Sequence, residues 1–84
     1  MLESSIRVNS IFEPNSAAKL VQKASQFKSR ISLVSEEKTA NAKSIMGIIS
    51  LNLQGGNIVK LVVDGEDAEQ AVPELEHILR AAAV

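Results

Sequence analysis

The sequence predicts an α+β domain in which helices cover one face of an antiparallel or mixed β-sheet. Three observations carry that prediction. Apolar residues alternate with polar ones at Ile6 and Val8, at Ile31 and Leu33, and at Val59, Leu61 and Val63, the two-residue period of half-buried strands. Helical spacing appears at Ala17, Leu20, Val21, Ala24 and Phe27, and again from Ala68 through Ala71, Leu75 and Leu79 to Ala82. The segments follow one another as β-α-β-β-α-β-α. Strands with a single apolar face need helices on that face, which leaves the other sheet face to solvent.

Each element has a local justification. Ile6 and Val8 alternate with Arg7 and Asn9 in a first short strand, and Pro14 then pushes Glu13 out of the helical region. Asn15 or Ser16 can cap a helix over residues 16–27. Ile31 and Leu33 restart a strand. Glu36, Glu37 and Lys38 form a turn and residues 39–42 a second strand, together a hairpin. Ser44 precedes a short helix over residues 45–51 that is apolar on nearly every side. Gln54-Gly55-Gly56-Asn57 is a loop, and residues 58–63 are the most hydrophobic strand. Asp67 with Gln70 three residues later resembles a capping box for the last helix. Pro73 lies inside that helix's apolar stripe, so the helix is expected to kink there or to begin after Asp67.

Composition narrows the function classes. Hydrophobic residues make up 45% of 84 residues, enough for a core without a metal or disulfide, and the chain is expected to be one domain over residues 1–84. Cysteine is absent, which removes disulfides, thiolate ligands and a cysteine nucleophile together. His77 is the single histidine, so no multi-histidine metal site exists and no cofactor is implied. Its place in the last helix is that of a solvent-edge residue. Phe12 and Phe27 are the only aromatic residues, and the net charge is −1, which together argue against nucleic-acid binding. No apolar run approaches the roughly 18–20 residues of a membrane span, and residues 1–5 are neither basic nor apolar enough for a signal peptide. The expected location is the cytoplasm.

Charge is unevenly placed. Residues 19–30 hold Lys19, Lys23, Lys28 and Arg30 with no acid, and residues 64–76 hold six acids with no base. Two readings fit: a pair of solvated helix faces, or a basic docking surface for an acidic partner.

Enzyme signatures are missing. The sequence has no Walker-type phosphate loop, no G-x-G-x-x-G after a strand and no G-x-S-x-G. Its ten carboxylates have no catalytic companion at a telling spacing. The segment Asn41-Ala42-Lys43-Ser44-Ile45-Met46-Gly47-Ile48-Ile49-Ser50-Leu51 is different. Ser44 stands where an N-cap belongs, and a phosphoryl group there would meet free backbone N–H groups and the positive end of the helix dipole. It is equally a plain structural cap worth about 1 kcal/mol. Ile45, Met46, Ile48 and Ile49 cannot all face the core from so short a helix, so some are expected to form an exposed docking patch.

On these residues the chain resembles the HPr family, the histidine-containing phosphocarriers of the bacterial sugar phosphotransferase system. The likeness is centred on Lys43-Ser44-Ile45-Met46-Gly47, with Val21-Gln22-Lys23-Ala24-Ser25 and the element order in support. The resemblance implies an open-faced β-sandwich, four antiparallel strands covered on one face by three helices. It also implies phosphorylation of Ser44 by HPr kinase/phosphorylase, with Lys19, Lys23, Lys43 and the Ile45–Ile49 patch as the partner surface.

The phosphocarrier segment departs from the family pattern, which reads G-[IL]-H-A-R-P-A. Here Ile11-Phe12-Glu13-Pro14-Asn15-Ser16-Ala17 aligns with it, placing Glu13 at the histidine and Asn15 at the arginine. The chain is therefore similar to Crh-like members, which keep the serine and lack the histidine. That likeness implies no histidyl relay and, with Ser44 phosphorylated, binding to a LacI-type catabolite control repressor; the loss of the arginine at Asn15 counts against that last contact. It also makes a homodimer with an exchanged first strand an expectation. Glu13 is open to two explanations, a carboxylate mimic of the phosphorylated histidine or a helix-capping acid left by drift. Two other functions remain alongside regulation: a phosphotransferase component that uses Glu13 as acceptor, and an unswitched scaffold that occupies HPr partners.

Overall fold

The computed structural model describes residues 1–8, 14–53 and 57–81. In chain order the elements are β1 (Leu2–Arg7), α1 (Pro14–Ala24), β2 (Arg30–Ser35), β3 (Lys38–Asn41), α2 (Ile45–Ser50), β4 (Ile58–Asp64) and α3 (Ala68–Ala81). The four strands form one sheet in the order β1-β4-β2-β3, and every pairing is antiparallel. Three helices cover one face, so the open-faced β-sandwich is the observed fold and the mixed-sheet option falls away.

Register explains the core. Leu33 pairs with Leu61 on one side and Ala40 on the other, and Leu61 pairs in turn with Ser4. Neighbouring rows place Val63 against Ile31 and Val59 against Ile6. All these side chains except Ser4 are buried. Ala17, Leu20 and Ala24 of α1, Ile48 of α2, and Ala71, Leu75 and Leu79 of α3 meet them from above. The alternate rows, Glu3–Val62–Ser32–Asn41 and Ser5–Lys60–Val34–Thr39, make up the opposite sheet face, where residues are exposed or half-buried.

The boundaries of β1 and α1 differ from expectation, whereas α3 begins after Asp67, one of the two expected outcomes. β1 begins at Leu2, because ladder pairing from Leu2↔Val63 to Arg7↔Ile58 draws in a stretch with no apolar alternation of its own. The Ser4 hydroxyl, which faces the helices, also donates to the Glu76 carboxylate of α3. Asn9 lies outside the described residues. α1 begins at Pro14, since proline suits the first helical position, where its missing N–H would have had no partner. It ends at Ala24, and Gln26 and Phe27 donate to carbonyls three residues back, Lys23 and Ala24, in a tighter turn. That turn keeps Phe27 half-buried against the core. α3 starts at Ala68, directly after Asp67, and runs through Pro73. The carbonyl of Glu69 loses its helical donor there, but Glu69 and Pro73 are both exposed, so water can satisfy it.

The two-residue turn between Ser35 and Lys38 places Glu36 at a φ of 56°, in the left-handed region. Asn52, just after the C-cap of α2, has a φ of 52°, a conformation asparagine tolerates better than most residues.

Candidate functional site

Residues 41–44 form a tight lead into α2. The Asn41 carboxamide oxygen accepts the Lys43 backbone N–H at 2.9 Å, and the Asn41 carbonyl accepts from the Ser44 N–H at 3.0 Å. Ser44 is extended, at φ −114° and ψ 114°, and its hydroxyl oxygen accepts the Gly47 N–H at 3.3 Å. It is the N-cap of α2, and it is exposed. A group attached to its Oγ projects into solvent beside the free N–H groups of the helix's first turn.

The apolar patch is smaller than expected. Ile48 is 2% exposed and belongs to the core, so it is removed from the partner surface. A six-residue helix can bury one stripe only, and Ile48 occupies it. Ile45, Met46 and Ile49 are 41%, 69% and 44% exposed. These three flank Ser44 as a small apolar surface.

The predicted bases are divided. Lys19 is exposed on α1. The Lys43 ammonium is half-buried and donates to the Phe27 carbonyl at 2.8 Å, which pins the start of α2 to the turn after α1. Lys23 is held 3.5 Å from Glu74 of α3, so it points along the α1–α3 seam. Lys28 lies 3.7 Å from Glu66. The acidic run therefore answers part of the basic run within the chain: Lys23 is drawn to Glu74, whereas the Lys28–Glu66 pair is exposed and weak and leaves Lys28 accessible.

Asp67 differs from its sequence reading as well. Its carbonyl, not its carboxylate, accepts the Gln70 N–H at 3.1 Å. The carboxylate reaches across to the α1–β2 turn, where it accepts the Lys28 N–H at 2.7 Å, the Ser29 N–H at 2.9 Å and the Ser29 hydroxyl. The hydroxyl bond, followed by the Lys28 N–H, holds the Asp67 carboxyl below its ordinary value of 3.8. Only the Asp64-Gly65 turn before it hinted that this acid belongs to a loop contact.

Glu13 and Phe12 lie outside the described residues. Asn15 and His77 are exposed. Among the described residues no cluster of His, Asp and Glu is placed to hold a metal ion, and no helix is long and apolar enough to cross a membrane.

Comparison with known proteins assigns the family. A model of the PTS HPr component phosphorylation site matches residues 12–81. The phosphocarrier protein HPr of Lysinibacillus sphaericus is 46% identical over 63 residues, covering 75% of this chain and 72% of its own. HPr-C-His of Thermoanaerobacter tengcongensis superposes with a TM-score of 0.90 at 39% identity, over 98% of this chain and 94% of its own. The HPr-like protein Crh of Bacillus subtilis is 39% identical over 70 residues, covering 83% of this chain and 82% of its own. Its crystal structure, a domain-swapped dimer, superposes with a TM-score of 0.79 at 32% identity, over 100% and 97% of the two chains. Sequence, strand order and superposition agree: the chain belongs to the HPr family of the phosphotransferase system, with Crh among its relatives.

Proposed function

We propose that this chain is a regulatory HPr-like protein, a single domain switched by phosphorylation of Ser44 and without a histidyl relay. The observation that carries the reading is the exposed Ser44 N-cap bordered by exposed Ile45, Met46 and Ile49. Phosphorylation adds about −1.5 to −2 charges beside the first turn of α2, where free N–H groups and the helix dipole favour them. The helix survives, and the apolar patch acquires a strongly anionic neighbour. A partner that recognises both features together discriminates the two states of Ser44.

In this reading HPr kinase/phosphorylase modifies Ser44 in the cytoplasm, and a LacI-type catabolite control repressor is the partner of the modified form. Glu13 and Asn15 stand where the family carries its histidine and arginine, which supports loss of the relay. The domain-swapped dimer of Crh supports a homodimer here. The relay is tested by incubation with phosphoenolpyruvate and the general enzyme of the phosphotransferase system. The expected product has unchanged mass. A hydroxylamine-labile phosphoryl group on Glu13 would instead make the chain a working carrier.

A further inference from the structure

A cleft of about 520 Å³ opens at one end of the sheet, lined by Lys28, Arg30 and Lys43 with Asn41 and Asp64. We infer that this cleft is a binding site for a small ligand bearing a phosphate group, next to the Ser44 surface, with which it shares Lys43, and argued independently of the function proposed above.

Three basic residues line the cleft from two chain segments: Lys28 and Arg30 where the α1–β2 turn enters β2, and Lys43 in the turn before α2. The backbones that present them are held in place. Asp67 fixes the N–H groups of Lys28 and Ser29, and Ser29 is 1% exposed. Asn41 holds the Lys43 N–H at 2.9 Å, and the Phe27 carbonyl holds the Lys43 ammonium at 2.8 Å. A site on fixed backbone loses little entropy on binding.

The charges are not balanced within the chain. Arg30 makes no ion pair among the described residues. The acceptor of the Lys43 ammonium is a neutral carbonyl. Lys28 has Glu66 at 3.7 Å, but both side chains are largely exposed and water weakens the pair. Asp64, the one acid of the lining, lies 3.9 Å from the amino terminus of Met1. A guanidinium fork beside two ammonium groups suits a group with at least two negative charges and several acceptor oxygens. Phosphate has both properties, whereas a single carboxylate has neither enough charge nor enough acceptors.

The test uses the ¹⁵N-labelled full chain titrated with inorganic pyrophosphate at constant ionic strength, with citrate as a second arm. Saturable shifts are expected at the amides of Lys28, Arg30 and Lys43. Arg30→Gln and Lys43→Gln each weaken binding about fivefold, the worth of one charge at contact distance in water. Asp64→Asn tightens it, and Lys19→Gln on α1 leaves it unchanged. The spectra report directly that each variant is folded. Shifts that fail to saturate, or that Arg30→Gln does not weaken, overturn the site. Citrate binding as tightly as pyrophosphate overturns its assignment to phosphate.

Discussion

Asp67 and Ser29, 38 residues apart, are joined by two hydrogen bonds: the Ser29 N–H and its hydroxyl both donate to one carboxylate oxygen of Asp67. The other oxygen takes the Lys28 N–H. One side chain at the start of α3 therefore fixes the turn that carries the chain from α1 into β2, and it supplies the acceptor for a buried serine. A buried hydroxyl without a partner costs about 1–3 kcal/mol, so Ser29 and Asp67 depend on each other.

That bond makes stability depend on pH. The Asp67 carboxyl is held below 3.8 by the Ser29 hydroxyl first and the Lys28 N–H second. The unfolded chain then binds this proton more tightly than the folded one. The contribution is fully present above the ordinary value and is lost as pH falls through the lower folded value. Asp67→Asn should lower the melting midpoint at neutral pH, and its gap from wild type should narrow as pH falls towards about 2. Thermal melts across that range check it; a constant gap at every pH contradicts it.

Gly65 is required by the same turn. A Cβ added there would lie 2.6 Å from the Ser29 Cα, a backbone atom that cannot swing aside. Gly65→Ala should cost about 2 kcal/mol by chemical denaturation, within the usual range for overpacking. A loss below about 0.5 kcal/mol, the scatter of ordinary surface changes, would contradict the packing account.

Glu36 carries backbone strain at a φ of 56° in the hairpin turn. Glu36→Gly removes the Cβ penalty, partly offset by the freedom glycine adds to the unfolded chain. A gain of about 0.5 kcal/mol is expected in denaturant midpoints, and a loss of that size contradicts it.

The helix that carries Ser44 divides into inner and outer residues. Ile48→Ala should cost about 2–4 kcal/mol, because its side chain fills the space between α2 and the sheet. Met46→Ala should change stability by less than about 0.5 kcal/mol. Equal losses from the two would mean that the patch is part of the core.

Legibility in the sequence followed the strength of local signals. β4 was readable because Val59, Leu61 and Val63 alternate through a strongly apolar run, and the N-cap at Ser44 was readable from its place before a short apolar helix. The first half of β1 was not, since Leu2-Glu3-Ser4-Ser5 has no period and owes its conformation to Val63 and Leu61 across the ladder. Ile48 could not be told from Ile45 or Ile49 by composition; only the approach of the sheet decides which isoleucine is inside. Asp67 looked like a cap for its own helix, because nothing local reveals a carboxylate that serves Ser29. The basic and acidic runs were plain to see, but that Lys23 meets Glu74 is a product of how α1 and α3 pack.

The most direct test of the regulatory account is phosphorylation itself. The full chain is incubated with HPr kinase/phosphorylase and ATP, followed by intact mass and peptide mapping, with Ser44→Ala in parallel. Loss of the cap should cost Ser44→Ala about 1 kcal/mol, leaving a folded control. One phosphoryl group on Ser44 and none on the variant is the predicted result. No added mass, or a phosphoryl group on another residue, contradicts the account.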